Sequence, residues 1–233
     1  MPWTRASGSA QGWRPENVPN PFRFPRAKHV RTRKPQAFKN YKQFKPDLRA
    51  EFSGQCVYCR MLDRLKGEEG FGVDHYRPKS LFPRLEAEYA NLYYCCNRCN
   101  SWKREFWPNR RQQAKGIFIP NPCDDVMFEH MRYRLGTVSD VSDAGAWTVD
   151  SLDLNHAPLV ELRTGVIRAV ALAEAKIDEA EETVEDVERL VKRAKSKQER
   201  ADLEAILVDA QRNLERQREN LRMLIGPPEP AAT

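Results

Sequence analysis

The chain has 233 residues and a formal net charge of +6, and 31% of its residues are charged. This length supports one globular core with an appended subdomain. No apolar run approaches the length that spans a bilayer, and the N-terminus lacks a secretory signal, which argues against a membrane protein. The sequence therefore predicts a cytoplasmic protein whose six cysteines are reduced or metal-bound.

Residues 1–42 are predicted to form a basic, proline-rich arm. Residues 1–45 contain eleven Lys or Arg and one acid, whereas the rest of the chain is net negative. Basic residues interleaved with aromatic ones suit phosphate contact and base stacking. We therefore expect Arg31, Arg33 and Lys34 to bind nucleic acid. Two alternatives stay open: a solvated tail, or a segment that wraps the core and buries its aromatics. The aromatics are Trp3, Trp13, Phe22, Phe24, Phe38, Tyr41 and Phe44.

Residues 43–116 are predicted to form the core, which begins with a short helix over residues 43–55. Two Cys-x-x-Cys pairs follow, Cys56 with Cys59 and Cys96 with Cys99. Each such turn points two thiolates at one place, so together they supply the four soft ligands of a tetrahedral structural zinc site. Cys95 is an alternative ligand, but Cys96 repeats the two-residue spacing of the first pair. Buried free thiols or a disulfide are further alternatives, and a disulfide requires an oxidising compartment.

An Asp-His dipeptide lies between the two cysteine pairs. Residues Val73–Tyr76 are predicted to form a strand, with a partner strand before a helix that begins near Cys96. At a strand end, neutral His75 could take a proton from water, and Asp74 could hold a divalent ion. Adjacent strand residues point to opposite faces, so the two side chains converge on one phosphate only if the strand twists or bulges.

Asp74-His75, Asn91 and Cys99-Asn100-Ser-Trp-Lys103 resemble the motif of the HNH endonucleases, whose fold is the ββα-metal unit. The resemblance implies that His75 is the general base. It implies that Asp74 and Asn100 ligate one catalytic magnesium or manganese ion, because asparagine at the third motif position favours a hard ion. It also implies that Asn91 pins the loop between hairpin and helix.

Basic residues near the motif are expected to contact the nucleic acid. The resemblance implies that Lys103, which lies one helical turn beyond Asn100, contacts a phosphate. Arg77 and Lys79, which follow His75 closely, are expected to bind nucleic acid as well.

Several further stretches within about residues 50–170 share a second, narrower pattern: Gly-Val-Asp74-His75-Tyr-Arg77-Pro78-Lys79-Ser80, Tyr89-Ala-Asn91-Leu92, Ile119-Pro-Asn-Pro122, Gly136, Thr148-Val-Asp-Ser-Leu152-Asp-Leu-Asn155 and Leu159-x-x-x-Arg163. This pattern resembles the HNH subunits of bacterial Septu and retron anti-phage systems. The resemblance implies a defence role and an ATPase partner.

Residues 117–157 are predicted to be a mixed connecting segment. Met127–Arg134 and Thr137–Val141 are expected to form a hairpin around Gly136, and Thr148–Leu154 a short helix.

Residues 158–226 are predicted to form an antiparallel helical pair with a turn at Lys195-Ser-Lys-Gln. The apolar stripe is longer than a small core can cover, which indicates docking to a second copy or to an ATPase partner. A self-contained hairpin is the alternative. The stripe consists of Leu159, Leu162, Val166, Ile167, Val170, Ala173, Ile177, Ala180, Val184, Val187 and Val191, then Leu203, Ile206, Leu207, Ala210, Leu214, Leu221 and Leu224.

The sequence thus predicts an α+β fold in which a zinc-stabilised ββα-metal (HNH) nuclease core carries a long C-terminal antiparallel helical pair. The predicted function is metal-dependent hydrolysis of phosphodiesters, with DNA as the favoured substrate and RNA left open. The competing class is a non-enzymatic, zinc-stabilised nucleic-acid-binding or adaptor protein. Such a protein would keep the cysteines and the basic arm but would not need Asp74, His75 and Asn100 together.

Overall fold

Seven α-helices and four β-strands make up the part of the chain that the computed structural model describes, residues 20–225. Trp3 and Trp13 of the predicted arm, and residue 226 of the predicted helical pair, lie outside the described residues. In chain order the elements are α1 (Lys45–Glu51), β1 (Phe71–His75), β2 (Leu92–Cys96), α2 (Asn97–Lys103), α3 (Arg110–Ala114), α4 (Met127–His130), β3 (Met131–Arg134), β4 (Thr137–Asp140), α5 (Asp143–Ser151), α6 (Ala157–Arg193) and α7 (Lys197–Ile225).

The first sheet is an antiparallel hairpin that leads directly into a helix, as the sequence predicts. In this hairpin β1 pairs with β2, so that Asp74 lies opposite Tyr93 and His75 lies opposite Leu92. Helix α2 begins at once, because the Cys96 side chain accepts a hydrogen bond from the Cys99 N–H and so caps the helix. The hairpin strands are joined by residues 76–91, which form the long loop beside His75.

Residues 20–42 wrap the core and bury aromatic side chains, which is one of the two alternatives to a nucleic-acid-binding arm. Phe22 and Phe24 are buried, and Phe24 stacks on Tyr133 with ring centroids 5.1 Å apart. The buried Glu51 carboxylate accepts backbone hydrogen bonds from Thr32 and Arg33, both at 2.9 Å. Burial raises the pKa of Glu51, but the Thr32 and Arg33 N–H groups and His29 together lower it by more, so the net pKa is below its ordinary value.

The connecting segment forms a second hairpin, β3 with β4, in the predicted place. Two details differ from the prediction: Met127–His130 is a helical turn, and α5 begins at Asp143 rather than near Thr148. The earlier start follows from capping, since Ser142 accepts from the Gly145 N–H. The turn at Gly136 lies against α6, where a Cβ would come within 2.6 Å of the Val160 carbonyl oxygen, so only glycine fits.

The predicted C-terminal helical pair is present. Helix α6 has 37 residues and is about 55 Å long; its first turns bury Leu159, Val166, Ile167 and Val170 in the core. Helix α7 returns antiparallel along it, and its final residues pack back on the core. None of the described helices is both long and apolar enough to cross a membrane.

Candidate metal centre and adjoining Asp74–His75 site

The four predicted zinc ligands meet at one buried place. The sulfurs of Cys56, Cys59, Cys96 and Cys99 all lie within 4.8 Å of one another, and the Cys59 and Cys96 sulfurs are 3.7 Å apart. Four sulfurs bound at ~2.3 Å to a central tetrahedral zinc would be about 3.8 Å apart. The cluster could therefore bind a structural metal such as zinc.

Local backbone structure sets this arrangement. The Arg60 N–H donates to the Cys56 carbonyl at 2.9 Å, and Arg60 takes a positive φ of 50°, which closes the first Cys-x-x-Cys turn. The Val57 N–H donates to the Tyr94 carbonyl at 3.1 Å and so fixes that turn to β2. The second pair belongs to the start of α2, so the cluster joins the turn, the hairpin and the helix.

Cys95 lies beside the cluster and is not one of its four members. Its sulfur is 4.0 Å from that of Cys56 and donates to the Cys96 carbonyl at 3.3 Å. Burial raises the pKa of the Cys95 thiol well above its ordinary value, so it stays neutral. For Cys56 burial acts in the same direction, but hydrogen bonds from neighbouring thiols bring its pKa well below the ordinary value. The geometry agrees with Cys96, rather than Cys95, as the fourth ligand.

Asp74 is held from two sides by residues of the cysteine-linked elements. Its carboxylate is 3% exposed and accepts from the Tyr58 hydroxyl at 2.7 Å and from the Lys103 ammonium at 3.1 Å. Tyr58 lies within the Cys56–Cys59 turn, and Lys103 ends α2. The candidate metal centre therefore positions both partners of this carboxylate.

The His75 side chain contacts other residues than Asp74 does, because adjacent side chains of a strand point to opposite faces. Its Nε2 lies 2.9 Å from the Glu86 carbonyl oxygen, and its ring meets the edge of Tyr41 at a centroid distance of 4.5 Å. A carbonyl only accepts, so Nε2 carries the proton and Nδ1 keeps a lone pair. Burial lowers the pKa of His75, which keeps the imidazole neutral at pH 7.

Asn91 holds a loop, but not the one expected from the resemblance. Its amide accepts from the Arg77 N–H at 2.9 Å and donates to the Arg77 carbonyl at 3.0 Å and to the Leu85 carbonyl at 3.3 Å. These bonds fasten residues 76–91 between the two strands, whereas the expectation was the loop between hairpin and helix. Asn91 thus orders the segment that supplies the Glu86 carbonyl to His75.

Asn100 lies on α2, one turn before Lys103, and is half-buried. Its side chain makes no hydrogen bond to another described residue, so its amide oxygen has no competing partner there. The Asp74 carboxylate and the Asn100 amide are each oxygen donors of the kind that magnesium or manganese prefers.

Two of the six residues predicted to contact nucleic acid are engaged inside the protein. Lys103 is 3% exposed, and its ammonium also donates to the His75 carbonyl at 2.7 Å. Arg31 donates to the Leu92 carbonyl at 2.7 Å, and its guanidinium lies over the Tyr93 ring at 4.6 Å. In these positions neither side chain faces a phosphate outside the protein, because both are held by acceptors of the core.

The other four lie at the surface. Arg33 and Lys34 are exposed, and so are Arg77 and Lys79 beside His75. Lys79 pairs with Glu86 at 3.1 Å, and the Arg77 guanidinium lies 5.5 Å from the ring centroid of Trp107.

Three residues that contact the site are absent from the sequence prediction of it: Tyr58, Tyr41 and Glu86. Tyr58 occupies a spacer position between two cysteines, and this was the only sequence signal that could have indicated it. Tyr41 comes from a segment outside the motif. Glu86 lies between the motif residues His75 and Asn91 but contributes a backbone carbonyl, which no side-chain pattern reports.

The fold and the site define a class: an α+β protein with a buried four-cysteine candidate metal centre built into a β-hairpin and the helix that follows it. The chain is 31% identical over 105 residues to the Septu protein PtuB of Bacillus thuringiensis, a match covering 45% of this chain and 38% of that protein. It is 28% identical over 145 residues to the Septu protein PtuA of Bacillus mycoides (strain KBAB4), covering 51% of this chain and 20% of that protein. Each match thus spans less than half of the relative. No family model and no solved structure matches the chain.

Proposed function

We propose that the chain is a metal-dependent HNH-type endonuclease that hydrolyses DNA phosphodiester bonds. The observation that carries the proposal is His75, whose Nε2 lies 2.9 Å from the Glu86 carbonyl oxygen and which directly follows the buried Asp74 on β1. The hairpin and following helix also bring Asn100 into the same unit, in the order that the HNH resemblance requires.

In the proposed reaction His75 takes a proton from water through Nδ1, because Nε2 is already committed to a carbonyl. The water oxygen attacks phosphorus, the bond between phosphorus and the 3′-oxygen breaks, and that oxygen takes up a proton. The products are a 5′-phosphate and a 3′-hydroxyl. Asp74 and Asn100 would hold a magnesium ion, which supplies electrostatic stabilisation of the charge developing on phosphate oxygens.

The test is plasmid nicking in magnesium with His75→Ala and a matched control, His156→Ala. His156 is exposed and its side chain caps nothing at the start of α6. We expect His75→Ala to lose roughly 10²–10⁴ in rate, as removal of a general base typically does, and His156→Ala to lose nothing. Both variants should melt near the wild-type temperature. Equal nicking by wild type and His75→Ala would remove the catalytic assignment.

One observation favours the second candidate, a non-enzymatic nucleic-acid-binding or adaptor protein. Both Asp74 oxygens already accept hydrogen bonds, from Tyr58 and from Lys103. An adaptor would bind DNA while wild type and His75→Ala both leave the plasmid intact under magnesium or manganese.

We also propose a role in anti-phage defence beside a separate ATPase chain. The matches to two Septu proteins and the narrower sequence resemblance support this role. Exposed apolar side chains on the helical pair support a docking face, with Leu190 51% and Ile206 52% exposed. Expression of the wild-type system should reduce phage plating, and His75→Ala should abolish the reduction.

The docking face is tested with Leu190→Glu and Ile206→Glu, beside Gln211→Glu as an exposed polar control. Each glutamate would bury a carboxylate without a partner, so both variants should fail to bind the ATPase encoded beside this chain in a pull-down. The control variant should bind it as wild type does. Light scattering distinguishes the alternative occupant, a second copy. A wild-type monomer that does not bind that ATPase would leave the helices as a self-contained hairpin.

A further inference from the structure

The Lys103 ammonium occupies the position of a cation on Asp74. It lies 3.1 Å from Asp74 Oδ1 and 2.7 Å from the His75 carbonyl oxygen, and both members of the ion pair are almost fully buried. A buried carboxylate needs a positive partner, and Lys103 supplies one unit of charge from within the chain. The same carboxylate is the one through which a divalent ion would bind in the proposed function.

A divalent ion and this ammonium cannot share Asp74 without repelling each other. Both would be within a few ångströms of one oxygen, in a place where little water screens them. The second oxygen does not relieve the conflict, because it accepts from the buried Tyr58 hydroxyl at 2.7 Å. Binding of the ion therefore requires the Lys103 ammonium to move away from Asp74. If the ammonium stays, its repulsion weakens the binding of the ion.

A cavity beside Lys103 could receive its side chain if the ammonium leaves Asp74. A cavity of about 320 Å³ adjoins Lys103 and is lined by Trp102, Arg104, Phe106, Trp147 and Glu105 among others. Glu105 is exposed and supplies a second carboxylate in the lining of that cavity. An ammonium that leaves Asp74 could thus exchange one carboxylate for another, with the lysine methylenes against aromatic rings.

We propose that Lys103 is a resident counter-cation that competes with the divalent ion for Asp74, so that metal binding at this site requires displacement of the lysine. This inference rests on the proposed metal-binding role of Asp74. It also accounts for a lysine that lies within the HNH-like motif yet faces inward. Lys103 acts here as a positioning residue: it orders Asp74 in the metal-free protein and sets the affinity for the metal.

The experiment is calorimetric titration of manganese chloride into the zinc-loaded full-length protein, comparing wild type with Lys103→Met and Lys103→Arg. Removing the competing charge should tighten manganese binding on the order of tenfold or more, whereas Lys103→Arg should stay close to wild type. Adding Asp74→Asn to Lys103→Met should cancel the gain, which places the binding at this carboxylate. Equal affinities for wild type and Lys103→Met would overturn the proposal, and so would an absence of manganese binding in every variant.

A second measurement covers the case in which Lys103→Met does not fold, since it leaves Asp74 buried without its partner. Acetylation of wild-type lysines, followed by mass spectrometry, should show Lys103 protected without metal and more reactive at saturating manganese. Lys176, exposed on α6, serves as the internal reference. Unchanged reactivity of Lys103 would overturn the displacement.

Neither readout involves DNA cleavage, so the two proposals fail separately. If Lys103 competes with manganese at Asp74 but the protein never nicks DNA, the nuclease proposal is contradicted and the counter-cation proposal stands. If nicking depends on His75 but wild type and Lys103→Met bind manganese with equal affinity, the nuclease proposal stands and the counter-cation proposal is contradicted.

Discussion

The cysteine-linked core and the C-terminal helical pair use charged residues in opposite ways. In the core, Asp74 and Lys103 are each 3% exposed and have specific buried partners. In the helical pair, Arg218 and Glu181 form an ion pair at 2.8 Å whose side chains are 44% and 45% exposed. Buried pairs are costly to break by removal of one partner, whereas exposed pairs contribute little. The core should therefore be intolerant of polar changes that the helices accept.

The largest effect is expected from Cys96→Ser in the core. A structural zinc site supplies about 10–16 kcal/mol in zinc-finger peptides, so loss of a ligand should remove both the metal and the cooperative thermal transition. Elemental analysis and calorimetry measure the two. Cys123→Ser is the matched control, since Cys123 is half-buried outside the four-cysteine cluster. Stoichiometric zinc in Cys96→Ser would contradict the ligand set, especially if Cys95→Ser lost it.

A smaller but still large effect is expected where the helical pair joins the core. Arg163 is 0% exposed and donates to the Tyr133 hydroxyl at 2.9 Å and to the Leu154 carbonyl at 2.6 Å. Arg163→Met should destabilise the fold by roughly 1–3 kcal/mol for each acceptor left unpaired. Urea unfolding measures this loss beside Arg168→Met, an exposed change on the same helix. Equal urea midpoints for the two variants would show that burial of this arginine is not decisive.

Glu51→Gln tests whether a buried charge in the core contributes stability that depends on pH. The folded-state pKa of Glu51 is lowered, so its carboxylate adds stability above the ordinary glutamate pKa of about 4.3, and this stability is lost as the pH falls through the lowered value. At pH 7 the variant should lose roughly 1–3 kcal/mol, and the difference from wild type should shrink in acid. Thermal melting from pH 7 to pH 3 measures it, with exposed Glu88→Gln as control. A loss that is the same at every pH would mean that the charge plays no part.

The smallest effect is expected from Arg218→Ala on α7. Its pair with Glu181 is half-exposed, so the change should cost less than about 1 kcal/mol and should vanish in high salt. Arg216→Ala, an exposed arginine on the same helix, is the control. Urea midpoints at low and high salt compare the two. A loss as large as that of Arg163→Met would end the distinction between the two regions.

Local patterns in the sequence predicted much of the architecture. Four cysteines in two equal spacings indicated one cluster, and the repeat of that spacing separated Cys96 from Cys95. Apolar residues at three- and four-residue steps predicted α6 and α7, because that periodicity is a property of each helix alone. The same pattern predicts too late a start for α5, because the helix is capped by Ser142, which precedes the apolar positions that the pattern detects.

The direction of the basic side chains could not be predicted in this way. Lys103 and Arg31 carry the charge expected of phosphate contacts, yet each is bound by an acceptor distant in the sequence. The Lys103 partner Asp74 is 29 positions away, and the Arg31 partner Leu92 is 61 positions away. Such partners depend on how the hairpin, the N-terminal segment and α2 pack together, and a charge pattern contains no information about that packing.

The hydrogen bond from Tyr58 to Asp74 has a consequence for chelation. Tyr58 lies in the loop between Cys56 and Cys59, so a chelator that strips a soft ion from the cysteines also releases the hydroxyl that holds the carboxylate. If the proposed nuclease activity is measured, its loss on chelation would then reflect the state of the cysteine loop as much as a need for magnesium. Restoring magnesium alone, and then zinc alone, would reveal a strict order of reconstitution, in which the soft ion must return before the hard one can act.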